Sequence, residues 1–268
     1  MRLDKDYLTE LELLPIFEWR GMARRAQGVL APPPKQATRG ASAAGMAGAA
    51  PARAVPTPIP PQAPVTTSPA DPARALRINS LDWPRLAGDA ANCQACGLCQ
   101  QRQQVVVGVG ATNAPWLFIG EAPGAEEDQG GEPFVGPSGK LLDAMLTAVG
   151  LQRGREVYIT NVVKCRPPGN RTPTVDEAAA CAPYLDRQID LIKPKIIVAL
   201  GKSAITRLTG TDAPMASLRG QLFRYRGIPV VATYHPSYLL HKLPEKLKAW
   251  EDLVFAKREF GKVVAPDT

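Results

Sequence analysis

Four short runs of apolar and β-branched residues recur along the chain beyond residue 115, at 116–119, 157–160, 196–200 and 230–233. Each is bounded by Gly, Pro, Asn or polar residues and has the length and composition of a buried strand. Between and after them, apolar residues recur at helical spacing over 139–149, 175–192, 203–208 and 245–260. Strands alternating with helices predict right-handed crossovers and a parallel sheet. The expected fold is therefore α/β, a three-layer α/β/α sandwich around a central four-stranded parallel sheet. In such sheets ligands bind beyond the carboxyl ends of the strands. The four runs are followed there by Gly120-Glu121-Ala122-Pro123-Gly124, by Asn161 and then KCRPPGNR, by Gly201-Lys202-Ser203, and by Tyr234-His235-Pro236-Ser237. Glycines, an amide and a histidine converging on one edge predict a site. The first of these loops also carries Glu121, Glu126, Glu127 and Asp128 beside a single large aromatic, Phe134.

The amino-terminal part reads differently. Residues 1–26 form a short amphipathic segment broken at Pro15, a candidate docking motif for a protein partner. Residues 27–78 are dominated by Ala, Pro, Gly, Ser and Thr, too few large apolar side chains to offset the entropy of ordering, and are expected to form a disordered linker. The folded domain is expected over 79–262, with a tail at 263–268. The formal charge is +7, but residues 82–268 hold 22 basic against 19 acidic side chains. Nucleic-acid binding is thus permitted by charge and would need a local patch. No apolar run reaches membrane-spanning length, and Asp4, Asp6, Glu10 and Glu12 argue against a secretory or transit signal, so a cytoplasmic location is expected; the expected state is a monomer.

Five cysteines, an odd number, argue for metal binding over a disulfide framework. Cys93, Cys96 and Cys99 repeat every third residue, but a ferredoxin run would need a further cysteine where Gln103 stands. Cys93 and Cys96 together with Cys165 and Cys181 would supply four thiolates, enough for zinc or a [4Fe–4S] cluster, and spacing does not choose between them. Gly201-Lys202-Ser203 lacks the upstream glycine of a phosphate loop, since Ile196 occupies that place, and Ser203 reads better as a helix cap with phosphate contact as the alternative. Pro123 and the spacing exclude a dinucleotide fingerprint. Of two histidines, His235 lies at a strand end, held off the helical path by Pro236, and is the candidate catalytic one.

Taken together, CQAC, VGEAPGAEEDQGGEPFVGPSGKLLD, VYITNVVKCRPPGNRTPT, CAPYL and YHPSYLL resemble the uracil-DNA glycosylases of the fourth, iron–sulfur family, from about Leu81 to Lys257. The resemblance implies hydrolysis of the N-glycosidic bond of deoxyuridine in single- or double-stranded DNA. It also implies a structural [4Fe–4S] cluster on Cys93, Cys96, Cys165 and Cys181, with Cys99 spare. Phe134 would stack on a flipped uracil, while Gly120 and Ala122 would border it. The Asn161 amide offers a donor and an acceptor side by side, matching uracil O4 and N3–H, whereas cytosine presents the reverse. His235 would hold the departing anion at O2. The residue that positions water is open: where better-known uracil glycosylases carry an aspartate this chain has Ala122, leaving Glu121, Glu127 and Asp128. Ser203 and Ser237 are expected at the DNA. In the stretch after His235, Leu239 or Leu240 is expected to wedge into the duplex, with Lys242, Lys246 and Lys248 on the phosphates, the alternative being that both leucines anchor the last helix. The rival readings of the whole domain are a catalytically weak DNA- or polymerase-binding module and an electron-transfer protein built on the cluster.

Overall fold

The computed structural model describes residues 71–265. The amphipathic segment expected at 1–26 and most of the linker lie outside these residues. Six strands form one sheet: β1 (Val109–Gly110), β2 (Trp116–Gly120), β3 (Val157–Asn161), β4 (Ile196–Leu200), β5 (Leu222–Tyr225) and β6 (Ile228–Thr233), in the order β1-β3-β2-β4-β6-β5. The four expected runs are β2, β3, β4 and β6, and they pair in parallel. The expected central four-stranded parallel sheet is thus present, and β1 and β5 extend it at its two edges by antiparallel pairing. Neither edge strand has a buried apolar run. β1 is two residues long, and β5 alternates exposed and half-buried positions. β5 turns into β6 through Arg226 (φ 49°) and Gly227 (φ 82°), two positive-φ residues as tight hairpins require.

Successive side chains of a strand point to opposite faces. Leu117, Ile119, Ile197, Ala199, Val230 and Ala232 are buried in one cluster with Leu185 and Ile189 of α5 (Val175–Ile192) and Ile205 of α6 (Lys202–Thr209). From the other face Trp116 meets Phe260 of α9 (Lys246–Val264) at 4.7 Å between ring centroids, and α9 packs along β4 and β6. α4 (Pro137–Ala148), α8 (Pro236–His241) and α9 converge around Leu141, Met145, Leu239 and Leu253. Helices thus cover both faces, and the three-layer arrangement holds. α3 (Ala125–Gly130) and α7 (Met215–Leu218) are short connectors.

Two boundaries move. α1 (Pro72–Asn79) begins inside the stretch expected to be linker: Asp71 caps it by accepting from the Ala73 N–H, Pro72 stands at its first turn, and Ile78 is fully buried. With α2 (Trp83–Ala91) it forms a satellite cluster of Ile78, Leu86, Ala90 and Tyr184. At the other end α9 runs to Val264, two residues past the expected limit. Among the described residues no helix is long and apolar enough to cross a membrane.

Candidate active site

β2 lies between β3 and β4, so the chain leaves it first to one side and later to the other, the arrangement that opens a crevice at the carboxyl edge. A cleft of about 330 Å³ lies there, and Glu121, Ala122, Glu127, Phe134, Asn161, Gly201, His235 and Ser237 line it. The register explains the neighbours. Gly120 pairs with Asn161 across β2 and β3, and a Cβ on Gly120 would stand 2.4 Å from Asn161 Oδ1 and 2.6 Å from Phe134 Cζ. Only a residue without a side chain lets the amide and the ring approach together. Phe134 holds a positive φ of 56°, strained for a non-glycine residue. Its loop is clamped by Arg153, which donates to the Pro133 and Phe134 carbonyls at 2.9 and 3.0 Å and to Asp143 at 2.8 Å. Gly139 makes room for it, since a Cβ there would clash with the Phe134 carbonyl at 1.8 Å. The Phe134 ring faces His235 at 5.5 Å.

Asn161 is 1 % exposed, and its Oδ1 has no hydrogen-bond partner within the protein. Such an orphan typically costs about 1–3 kcal/mol, so it marks a place where a ligand completes the bonding. His235 Nδ1 accepts from the Ser237 N–H at 3.2 Å and lies 2.7 Å from the Ser237 hydroxyl. That leaves the proton of a neutral imidazole on Nε2, the opposite edge of the ring. Burial pushes the imidazole down to about 4, only partly opposed by the Glu127 carboxylate. It is therefore neutral at pH 7. Because the unfolded chain takes up this proton first, near its ordinary value of about 6.5, stability should fall as pH drops from about 6.5 and level off near 4. Melting curves of wild type and His235→Asn across that window should show the variant losing less, and equal losses would contradict the assignment.

The acidic candidates separate. Glu127 accepts the Gly124 N–H with one oxygen (3.0 Å) and the Val135 and Gly136 N–H groups with the other (3.0 and 3.2 Å), so it organises the loop around Phe134. Asp128 is buried and accepts the Gln103 N–H. Glu121 lines the cleft and takes the Ser203 hydroxyl on Oε2. Ser203 is thus not the helix cap expected: Gly201, at φ 89°, caps α6. Ser237 lies at the cleft lip but is tied to His235.

The expectation for the leucines splits. Leu239 is fully buried among Leu141, Met145, Trp250 and Leu253, which corrects its placement as a wedge. Leu240 is 37 % exposed and Tyr238 beside it 41 %. The lysine row is corrected as well, since Lys246 is buried and Lys248 pairs with Glu245 at 2.8 Å. Leu239→Ala is expected to cost about 2–5 kcal/mol of stability, as buried leucine truncations do. Leu240→Ala should leave the melting temperature nearly intact. Denaturant titrations of both check this.

On the β3 side, Cys93, Cys96, Cys99, Cys165 and Cys181 line one small cavity together with Arg102 and Lys164. Burial pushes the Cys96 thiol up to about 11 and Cys181 up to about 12, and raises Cys165. Cations stand against the sulfurs: Arg74 donates to Cys93 Sγ at 3.3 Å and Arg102 to Cys165 Sγ at 3.1 Å. Lys164 is buried, and burial lowers its ammonium to about 8 against the opposing pull of Cys181, Asp186 and Cys165. Among the described residues no group of three His, Cys, Asp or Glu is arranged to hold a single metal ion. The donor set is nonetheless all sulfur. Such a set suits soft centres such as iron–sulfur clusters or zinc, and the flanking cations would stabilise thiolates. Sequence reasoning missed Arg153, Arg74, Arg102 and Lys164, because a single basic residue carries no local signal of where it will be buried.

Residues 107–254 match the family model described as the uracil DNA glycosylase superfamily. The chain is 46 % identical over 169 residues to a type-4 uracil-DNA glycosylase of Thermotoga maritima, covering 62 % of this chain and 88 % of that protein. It is 40 % identical over 198 residues to the type-4 enzyme of Sulfurisphaera tokodaii, covering 68 % and 89 %. With the type-4 enzyme of Archaeoglobus fulgidus it shares 43 % over 173 residues, 62 % of this chain and 85 % of that one. The chain belongs to the type-4 uracil-DNA glycosylases of the uracil DNA glycosylase superfamily.

Proposed function

We propose that the cleft receives a uracil flipped out of DNA and that the protein hydrolyses its glycosidic bond, leaving an abasic site. The observation that carries this reading is the partnerless Asn161 Oδ1 in a cleft shared with the Phe134 ring and His235. Phe134 stacks on the base face, restoring about 1–3 kcal/mol of the stacking lost on flipping. Asn161 reads O4 and N3–H. The bond between the sugar carbon and the base nitrogen breaks with both electrons going to the base, building positive charge on the sugar and negative charge on uracil. His235 Nε2–H donates to O2 and stabilises that anion without first having to lose a proton. Glu121, the cleft carboxylate not consumed by backbone amides, orients the water whose oxygen attacks the sugar and accepts that water's proton, while the uracil anion leaves and is protonated by solvent. The reading is of a monomer acting on single- or double-stranded DNA, with exposed Leu240 entering the stack of the latter.

In the same reading Cys93, Cys96, Cys165 and Cys181 hold a [4Fe–4S] cluster. When bound it would supply structural cross-linking between segments distant in sequence. The all-sulfur cavity and its flanking cations support this.

The test is uracil release by the purified full-length protein from oligonucleotides with a single uracil. Free uracil and an alkali-labile abasic site are the expected products. DNA binding without release would favour the binding-module reading.

A further inference from the structure

Asn161 is held by its backbone, because its Oδ1 finds no partner inside the protein. The Asn161 carbonyl accepts from Lys164 Nζ at 2.7 Å, and the same ammonium donates to the Thr160 hydroxyl at 2.6 Å. Thr160 in turn donates to the Val107 carbonyl at 2.8 Å, which also accepts from Gln188 at 2.9 Å. Lys164 also lines the cysteine cavity, together with Cys165 and Cys181. One residue therefore touches both places. Burying an ammonium is costly unless its donors are used, so packing alone does not account for a lysine here.

The geometry points to Lys164 as a positioning residue that holds the end of β3 from behind, so that the Asn161 amide faces the base, and that ties it to the wall of the cysteine cavity. The inference rests on reading the cleft as the uracil site. It predicts that the groups behind Asn161 govern recognition of the base without contacting it, as outer-shell partners do elsewhere.

The experiment compares full-length, cluster-loaded wild type with Lys164→Met and Thr160→Val. For each, four quantities are measured: kcat/KM on a single-stranded uracil oligonucleotide, inhibition by free uracil, binding of the same oligonucleotide with thymine in place of uracil, and visible absorption. Lys164→Met should lose roughly tenfold to a hundredfold in kcat/KM, with inhibition by free uracil weakened in parallel. Thymine-oligonucleotide binding and absorption should be retained. Thr160→Val, which removes one link of the chain, should move the same two quantities by about threefold to tenfold. If Lys164→Met does not fold, Thr160→Val decides. Unchanged uracil inhibition in the variants that fold overturns the inference. Loss of absorption together with equal loss of thymine-oligonucleotide binding would make Lys164 a structural counter-charge and overturn it too. A wild type that releases no uracil would sink the reading of the cleft itself.

Discussion

Replacing Asn161 by alanine is expected to lower kcat/KM for uracil release by about 10²–10⁴ while leaving the melting temperature unchanged or slightly raised. The loss follows from two polar edges of uracil, O4 and N3–H, left buried and unpaired at about 1–3 kcal/mol each. Stability behaves differently because the folded protein gains nothing from Asn161 Oδ1, which is buried without a partner. Alanine removes that desolvation cost, and the space it opens lies in the wall of the cleft. A residue kept for packing would show the opposite pattern. Single-turnover release from a single-stranded oligonucleotide, with thermal unfolding of the same preparation, checks both halves, and activity within about threefold of wild type would refute the role given to Asn161.

The second large effect is expected at the cysteine cavity. Cys165→Ala should abolish the broad visible absorption of a [4Fe–4S] centre and lower stability by on the order of 5 kcal/mol, roughly 10–20 °C in a domain of this size. Cys165 is buried, Arg102 donates to its sulfur, and it sits on the strand exit that leads from Asn161. Removing it would therefore release Arg102 and the β3 exit together. Cys99→Ala is expected to keep both absorption and stability, although Cys99 lines the same cavity. Iron and sulfide assays on anaerobically purified variants distinguish the cases. Stoichiometric zinc without iron would refute the cluster, and loss of absorption in Cys99→Ala would show that the wrong four thiols were chosen.

What could be read from the chain and what could not divides along physical lines. The parallel strands announced themselves because burial on both faces demands uninterrupted apolar runs, and placing Gly120, Asn161, Gly201 and His235 just beyond them followed from the topology. β1 and β5 sit at the edges and bury little, so they leave no such trace. The helix α1 was hidden by composition: its alanines and proline resemble the linker, although Asp71 and Pro72 form a recognisable start. The choice between Leu239 and Leu240 turns on the phase of a six-residue helix, which adjacent leucines do not reveal. Glu127 and Glu121 are alike in sequence. Only the folded loop shows that backbone amides take up both oxygens of one of them.

The cysteine cavity also sets an order of events during synthesis. Its first wall, from α1 through Cys99, leaves the ribosome early, whereas Cys181 follows Cys96 by 85 residues. At about 5–20 residues per second this leaves an interval of roughly 4–17 seconds before the last thiol of the cavity, on α5, joins the leading ones. Until it arrives the cysteines are open to oxidation and to adventitious metals. Assembly of the proposed cluster would therefore be confined to a moment after most of the sheet has been made, with the early thiols kept reduced until then.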